Sequence, residues 1–176
     1  MISDKEFLKA ELEMGIDPFN EGFINLCNAT FEAIQKEIPF SSVLDYGAGV
    51  GAYSDAFHKK GYNVVCYEYF KAHREYMAEK MPHLTIVDKP ITTDLMLFIE
   101  VAEHMTDKQL ISLFKKIKPN YILFSSTPNT TDWDSDWGHI NIKTHEQWVS
   151  LFDKLGYEFI KEMMFPTSWS KLLKLK

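Results

Sequence analysis

Residues 43–53 read Val-Leu-Asp-Tyr-Gly-Ala-Gly-Val-Gly-Ala-Tyr, with glycines at positions 47, 49 and 51 directly after a short apolar run. The next stretch has helical periodicity up to about Lys60, so the pattern predicts a strand, a tight turn and a helix. Glycine permits the tight turn and lets a ligand lie against bare main chain. The free N–H groups at the start of the helix favour an anionic group, a carboxylate as readily as a phosphate. We therefore predict a cofactor-binding turn.

A carboxylate follows the next apolar run, at a spacing that suits a nucleoside cofactor. Glu68 comes seventeen residues after the third glycine, at the end of the run Val64–Tyr67. In that position it can accept hydrogen bonds from both ribose hydroxyls, each contributing about 1.5–3 kcal/mol. Two kinds of cofactor fit this plan. With Gly47, Gly49 and Ala52 as G-x-G-x-x-A, the turn matches the dinucleotide fingerprint, and Glu68 would be its ribose acid.

Asp45 decides between a dinucleotide and S-adenosylmethionine as the cofactor. A carboxylate beside the turn would repel a pyrophosphate, whereas it would attract the positively charged amino group of S-adenosylmethionine. With the three glycines it forms the pattern D-x-G-x-G-x-G, which resembles the first motif of class I S-adenosylmethionine-dependent methyltransferases. The resemblance implies S-adenosyl-L-methionine as cofactor. The cofactor-binding residues it implies are Asp45, Tyr46, Gly47, Ala48, Gly49, Gly51, Glu68, Tyr69, Asp88, Glu100 and Val101.

Beyond the turn, short apolar runs alternate with amphipathic stretches. This alternation is typical of a parallel sheet with helices on both faces. Together with the resemblance it predicts an α/β fold: a Rossmann-like, doubly wound, mostly parallel seven-stranded sheet with an antiparallel C-terminal strand. The predicted strands are 43–46, 64–67, 84–87, 95–101, 121–125, 157–165 and 169–175, and the predicted helices are about 53–60, 71–80, 107–116 and 144–155.

Two further helices are predicted ahead of this sheet. We expect a single domain over residues 1–176, with 1–40 as an N-terminal helical cap and 41–176 as the S-adenosylmethionine-binding core. In the family that the chain resembles, such helices often close over the cofactor.

A second stretch resembles the same family. Residues 94–105, Asp-Leu-Met-Leu-Phe-Ile-Glu-Val-Ala-Glu-His-Met, match the pattern D-x-V-x-x-x-E-V-x-E-H at five positions. By that resemblance, Glu100 and Val101 lie beside the methionine part of the cofactor. One departure is that only residues 88–93 separate the third and fourth predicted strands, where a parallel crossover normally needs about a dozen residues or more. Either the third strand is short or the connection has no helix. The position of Asp88, and with it the adenine contact that the resemblance implies, depends on which of the two is the case.

The segment after the fifth predicted strand, residues 130–141, concentrates tryptophan, aspartate and histidine. It would lie at the carboxyl edge of the sheet, where open α/β sheets bind ligands. The predicted substrate-binding residues are Trp133, Trp137 and Asn141.

Two histidines are the catalytic candidates. We predict His139 as a general base or substrate ligand; the structural alternative is that it caps the following segment through hydrogen bonds. His104 is the second candidate, with packing under the cofactor as its structural alternative. His139, His145 and the loop aspartates form only a weak metal-ligand pattern, so no metal is expected.

Composition disfavours several other functions. Lys and Arg number 19 against 25 Asp and Glu, and the net charge of −6 argues against extended nucleic-acid binding. The fourth strand is not followed by the Asn/Asp-Pro-Pro-aromatic motif of amino-methylating nucleic-acid enzymes, and no Pro-Cys nucleophile is present. Cys27 and Cys66 lie in apolar runs, as reduced core cysteines of a cytoplasmic protein do. Neither a membrane span nor a signal pattern is apparent.

These observations predict an S-adenosylmethionine-dependent methyltransferase that acts on an oxygen or nitrogen of a small molecule or sugar-like metabolite. We expect a cytoplasmic monomer or homodimer with no membrane or extended nucleic-acid partner. Two alternatives stay open: a methyltransferase-fold binding module without catalysis, and an NAD-dependent oxidoreductase. Nothing in the sequence identifies the methyl acceptor.

Overall fold

The structure is a computed structural model that describes residues 3–132 and 134–176. Its strands are β1 (Ser42–Tyr46), β2 (Asn63–Tyr67), β3 (Thr85–Ile86), β4 (Leu95–Ile99), β5 (Tyr121–Ser125), β6 (Tyr157–Met163) and β7 (Ser170–Leu175). Its helices are α1 (Asp4–Glu13), α2 (Glu21–Ile34), α3 (Ala52–Lys59), α4 (Lys71–Lys80), α5 (Asp107–Lys116), α6 (Asp134–Trp137) and α7 (His145–Lys154), with a 3-10 turn at Ala102–His104.

The seven strands form one sheet in the order β3-β2-β1-β4-β5-β7-β6. The strands β1 to β5 pair in parallel, whereas β7 runs antiparallel to both β5 and β6. The chain starts in the middle of the sheet, builds outward to β3 and then resumes with β4 on the other side of β1. A crevice forms where the direction of winding reverses, at the carboxyl ends of β1 and β4. The predicted fold is confirmed.

Helices cover both faces of this sheet because the side chains on both faces of its central strand β4 are apolar. All four residues of Leu95–Phe98 in β4 are fully buried. One face packs against α2 and α3, where the rings of Phe31 and Phe57 lie 5.0 Å apart. The other packs against α5 and α7, where the rings of Phe114 and Phe152 lie 5.5 Å apart. Within the described residues, no helix has both the length and the apolar composition needed to cross a membrane.

Helix α1 carries no buried side chain and is attached mainly to α4. The rings of Phe7 and Phe70 lie 5.4 Å apart, and the carboxylate of Glu11 is 2.6 Å from Nε2 of His73. The segment after α1 turns at Gly15, which has a φ of 84°, and leads into α2. The N-terminal part of the chain is thereby brought to the end of the sheet at which the glycine turn lies.

Strand β4 ends two residues before the predicted end of 95–101. Glu100 has a φ of 51°, in the left-handed region that a strand does not adopt. Its N–H still donates to the carbonyl oxygen of Ser125 at 2.8 Å, so the chain leaves the sheet directly after this bond.

The third strand is short, and its connection to β4 also lacks a helix, so both alternatives considered from the sequence occur together. Strand β3 has only two residues, paired with Val65 and Cys66 of β2, and no helix lies between it and β4. The eight residues between these strands, 87–94, are too few for a helix with its turns, and Pro90 lacks a backbone donor. Asp88 follows β3 and is exposed.

Asp94 joins the beginnings of β1 and β4. Its carboxylate accepts hydrogen bonds of 2.7–3.0 Å from the N–H and hydroxyl groups of Ser41 and Ser42. These bonds, those from Ser41 first, lower the pKa of Asp94 from 3.8 to about 2.

We expect Asp94→Asn to reduce the free energy of unfolding by about 1–2 kcal/mol near neutral pH. Because the pKa of Asp94 is lower in the folded state, its contribution is complete above about pH 4 and is lost as the pH falls toward about 2. Urea unfolding at about pH 7 and about pH 3 should therefore show a difference between the two proteins that shrinks by roughly half. Asp88→Asn, at an exposed position, is the control, with an expected change below about 0.5 kcal/mol. An undiminished difference at the lower pH would contradict this role.

Candidate functional site

The three glycines of the turn have left-handed φ angles, and they differ in what surrounds them. A Cβ atom at Gly47 would lie 2.5 Å from Cγ2 of Val101, and one at Gly51 would lie 2.7 Å from Cε of Met81. These two glycines are required because the turn packs closely against its neighbours. At Gly49, with a φ of 53°, no described atom lies within 4 Å of the Cβ position. Its bare side therefore leaves room for a ligand.

Glu68 follows β2 and bonds directly to this turn. Its carboxylate accepts hydrogen bonds from the N–H of Gly49 at 2.8 Å and from the N–H of Phe70 at 2.7 Å. The side chain is buried, with 6% of its surface exposed. Each carboxylate oxygen has a further lone pair for a ligand hydroxyl. The structure thus places Glu68 against the turn, directly after β2, and Tyr69 beside it on the surface, and the ribose contact of Glu68 stays a prediction.

Asp45 lies at the end of β1, beneath the turn, with 4% of its surface exposed. Its carboxylate accepts a hydrogen bond of 2.6 Å from the hydroxyl of Ser54. Burial raises the pKa of Asp45 from 3.8 to about 6, partly opposed by the bond from Ser54 and reinforced by the charge of Glu68. A positively charged group beside this carboxylate would stabilise its ionised form.

A cavity of about 600 Å³ lies on the bare side of the turn. Its walls are the turn, the ends of β1 and β4, the segment between α1 and α2, the first turns of α2, and Pro166 with Thr167. Among the described residues that line it, all the charged ones are acidic: Glu11, Asp45 and Glu100. A cavity lined in this way attracts a cation and repels a pyrophosphate.

Glu100 is held rigidly at the edge of this cavity. Its carboxylate accepts hydrogen bonds from the hydroxyl of Ser125, from the N–H of Thr127 at 3.0 Å and from Nε1 of Trp169 at 3.0 Å. A left-handed φ at a residue other than glycine is strained and is found most often at functional sites. No role was predicted for Trp169, because the apolar pattern placed it in the strand 169–175, whereas β7 begins one residue later, at Ser170.

The predicted cofactor residues fall into three groups. Those that line the cavity are Asp45, Gly47, Ala48, Gly49 and Glu100. Gly51 and Val101 pack behind the turn, and Glu68 bonds to it. The ring of Tyr46 lies in the core, 4.8 Å from that of Tyr67. Tyr69 and Asp88 are exposed at the ends of β2 and β3. The binding roles of all of them stay predictions.

The two catalytic candidates, His104 and His139, lie together, with their ring centroids 4.9 Å apart. Glu103 is beside them and is fully buried. Burial, followed by the negative charge of Glu100, raises the pKa of Glu103 to about 9. Burial also lowers the pKa of His104, as does the neighbouring His139. The sequence motif contained Glu103, but no role was predicted for it.

The predicted substrate residues occupy different surroundings. Trp137 packs against Phe7 of α1, with ring centroids 5.2 Å apart. The amide nitrogen of Asn141 donates to the carbonyl oxygen of Met105 at 2.7 Å and to the carboxylate of Asp107 at 2.9 Å, so these bonds hold its segment on α5. Trp133 lies outside the described residues. Substrate contact by these three residues stays a prediction.

His145 does not join this group. It begins α7, and its Nδ1 lies 3.6 Å from the carboxylate of Glu162. The structure brings His139 together with His104 instead of with His145.

Comparison with known proteins agrees with this fold. Residues 22–162 match the family model of a methyltransferase domain. Among solved structures, DesVI from Streptomyces venezuelae aligns with a TM-score of 0.70 at 11% identity and covers 99% of both chains. Magnesium protoporphyrin IX methyltransferase from Synechocystis PCC 6803, solved with bound SAH (S-adenosylhomocysteine), aligns with a TM-score of 0.59 at 14% identity over 89% of this chain and 84% of that one.

PhzM, a pyocyanin biosynthetic protein, aligns with a TM-score of 0.63 at 14% identity over 98% of this chain. This protein spans only 61% of the length of PhzM, and similar fractions of several other matching structures. No protein with curated annotation matches the sequence.

The structural matches establish the fold, and the family model establishes the family. Because that model extends over more than half of the chain, this protein belongs to the class I S-adenosylmethionine-dependent methyltransferases.

Proposed function

We propose that this protein transfers a methyl group from S-adenosylmethionine to an oxygen or nitrogen atom of a small molecule or sugar-like metabolite. The observation that carries the proposal is the charge of the cavity beside the glycine turn, whose charged lining residues are all acidic. S-adenosylmethionine is positively charged at its sulfur and at its amino group. An acidic cavity therefore suits it, whereas the pyrophosphate of a dinucleotide would be repelled.

The residues present fit this cofactor. Asp45 is a buried carboxylate whose bonding partner in the structure is a neutral hydroxyl, so a cation can complete its surroundings. Gly49 offers an open stretch of main chain against which a ligand can lie. In the proposed complex, Asp45 holds the amino group, Glu68 accepts the ribose hydroxyls, and the glycine turn supports the molecule between them.

When bound, S-adenosylmethionine supplies a methyl group that is already activated by its positively charged sulfur. The protein's task is then to align the acceptor and to exclude water. The cavity is covered on the N-terminal side by Gly15, Ile16 and Phe23, which would keep water from the bound cofactor. Glu100, fixed by its three donors, supplies a rigid wall on the other side.

The acceptor would approach from the side of His104 and His139, next to Glu100. The names of two similar proteins support a small acceptor, since they refer to pyocyanin biosynthesis and to magnesium protoporphyrin IX. The net charge of −6 supports the same conclusion by disfavouring a nucleic-acid substrate.

Calorimetric titration with SAH tests the proposal. We expect one equivalent to bind with a Kd in the micromolar range, about −8 kcal/mol, and NADH to bind roughly 100-fold more weakly because of its pyrophosphate. Mass spectrometry of small hydroxyl and amine compounds incubated with S-adenosylmethionine then tests transfer. Tighter binding of NADH than of SAH would overturn the assignment, and SAH binding without transfer to any acceptor would favour a binding module.

A further inference from the structure

A group of three potential metal ligands lies at the carboxyl end of β4. One ligand atom from each of Glu103, His104 and His139 lies within 4.8 Å of the other two. Glu103 and His104 come from the 3-10 turn after β4, and His139 comes from the segment after α6. We refer to these three residues as the acid–histidine cluster. Glu100, three residues before Glu103, lines the cofactor cavity, so the cluster lies beside the proposed methyl-transfer site.

Glu103 lacks the partners that a buried carboxylate needs. It has no exposed surface, and neither of its carboxylate oxygens makes a hydrogen bond of normal geometry with the described side chains, although Glu100 and Ser126 lie close to it. Burial of a carboxylate without partners costs several kcal/mol. Its main-chain carbonyl accepts hydrogen bonds from the N–H groups of Ile140 and Asn141, at 2.8 and 3.0 Å, which fixes the residue in place. A cation bound to the carboxylate would supply the missing partner.

Both histidines engage, through Nδ1, an acceptor that lies outside the cluster. Nδ1 of His139 lies 3.0 Å from the carboxylate of Asp134, which itself accepts bonds from the N–H and hydroxyl of Thr131. Nδ1 of His104 lies 3.3 Å from the carbonyl oxygen of Gly138. In each ring an outer acceptor therefore engages Nδ1 and leaves Nε2 to bind a metal, which is the usual arrangement around metal-ligating histidines.

We propose that the acid–histidine cluster binds one divalent first-row transition metal ion, with open positions that an oxygen of the methyl acceptor can occupy. Two imidazoles and one carboxylate are the ligands that zinc, cobalt and iron(II) accept, and three protein ligands leave room for a water or substrate. The sequence-based expectation of no metal considered His139 with His145. The structure instead combines His139 with His104 and with a buried carboxylate.

The role of the metal in catalysis rests on the proposed function. A hydroxyl bound to a divalent metal loses its proton more readily, and here the proton would pass to solvent. A new bond then forms between this oxygen and the methyl carbon, while the bond from carbon to sulfur breaks and sulfur keeps its electron pair. The inference therefore selects oxygen over nitrogen as the acceptor atom, and it makes His139 a metal ligand instead of a general base.

Metal binding can be measured without any methyl donor. We expect the full chain, freed of metal with a chelator, to take up one equivalent of Co²⁺ with visible absorption bands of a four- or five-coordinate site. Zn²⁺ should compete for the same site in calorimetry. Glu103→Gln and His139→Ala should each weaken Zn²⁺ binding by roughly 100-fold, and Asp134→Asn by roughly 10-fold.

His83→Ala is the matched control, because His83 also bonds to an aspartate, Asp55, at 2.8 Å but lies outside the cluster. Its Co²⁺ spectrum and affinity should equal those of the wild type. Thermal unfolding of every variant confirms that it is folded. If Co²⁺ gives no bands, or if Glu103→Gln binds as tightly as the wild type, the metal site is wrong.

Failure of the metal site and failure of the proposed function give different results. If the protein binds SAH but binds no metal, the proposed methyl transfer stands. His139 is then again the candidate general base. Metal binding without SAH binding would overturn the proposed function and leave the metal site standing. With both in place, a chelator should abolish transfer to hydroxyl acceptors without weakening SAH binding.

Discussion

Gly49→Ala should weaken SAH binding by roughly 100-fold or more, while the protein stays folded. The added methyl group would occupy the open side of the turn, the one position among its three glycines where no described atom lies within 4 Å. A ligand that lies against this main chain would then have to move away from Glu68 or from Asp45. The loss of several hydrogen bonds to charged groups, each contributing about 1.5–3 kcal/mol, accounts for the size of the effect.

Gly61→Ala is the control for Gly49→Ala, because it introduces the same backbone strain without altering the proposed binding surface. Gly61 also has a left-handed φ, 88°, and no described atom lies within 4 Å of its Cβ position, but it follows α3 and does not line the cavity. Both variants should lose about 1–2 kcal/mol of stability in urea unfolding, since a left-handed φ costs alanine about this much. Calorimetry should show SAH affinity lost in Gly49→Ala alone. Equal affinities in the two variants would mean that the ligand does not contact the turn.

Asp45→Asn should weaken SAH binding by roughly 10- to 100-fold and at the same time stabilise the folded protein. The asparagine can keep the hydrogen bond from Ser54 but has no charge to attract an amino group. In the wild type the pKa of Asp45 is raised to about 6, so SAH affinity should fall about tenfold per pH unit below that value. The affinity of Asp45→Asn should lack this pH dependence, as calorimetry at several pH values would show.

The effect of Asp45 on stability has the opposite sign to that of Asp94. Its folded-state pKa lies above the unfolded value, so the folded protein is favoured below about pH 4 and loses this advantage as the pH rises through about 6. Asp45→Asn should therefore be about 1–3 kcal/mol more stable than the wild type near pH 7 in urea unfolding. Asp55→Asn, a buried aspartate bonded to Lys59 and His83, is the control: it should lose stability and keep SAH affinity. A destabilised Asp45→Asn would show that this carboxylate supports the fold.

Local patterns were sufficient to predict the succession of strands and helices along the chain and the place of the glycine turn. Three closely spaced glycines between a strand and a helix, here at positions 47, 49 and 51, indicate a turn. Glu68 lies near that turn because it follows β2, which is the parallel neighbour of β1. Asp45 was singled out by its place in the same motif, two residues before the first glycine. These features depend on spacing along the chain, which the sequence contains directly.

Features that depend on distant contacts were not predictable. Strand β4 stops at Ile99 because Glu100 is held by Ser125 at the end of β5 and by Trp169 just before β7, and no local pattern reports a left-handed φ at a glutamate. Glu103 appeared as one position of a motif, and only folding shows that it is buried beside His104 and His139. The proximity of His139 to His104, 35 positions earlier, likewise follows from folding.

The weak anchoring of α1 separates two properties of the ligand complex. This helix carries no fully buried side chain and is joined to α2 through Gly15, so we expect it to open more easily than the elements of the sheet, with loss of the contacts of Phe7, Leu8 and Leu12. The rates at which a ligand enters and leaves then depend on the movement of α1. The affinity for the ligand depends mainly on the residues at the carboxyl ends of β1 and β4. Substitutions in α1 other than at Glu11, which lines the cavity, should accordingly change the residence time of the ligand and leave the choice of ligand unchanged.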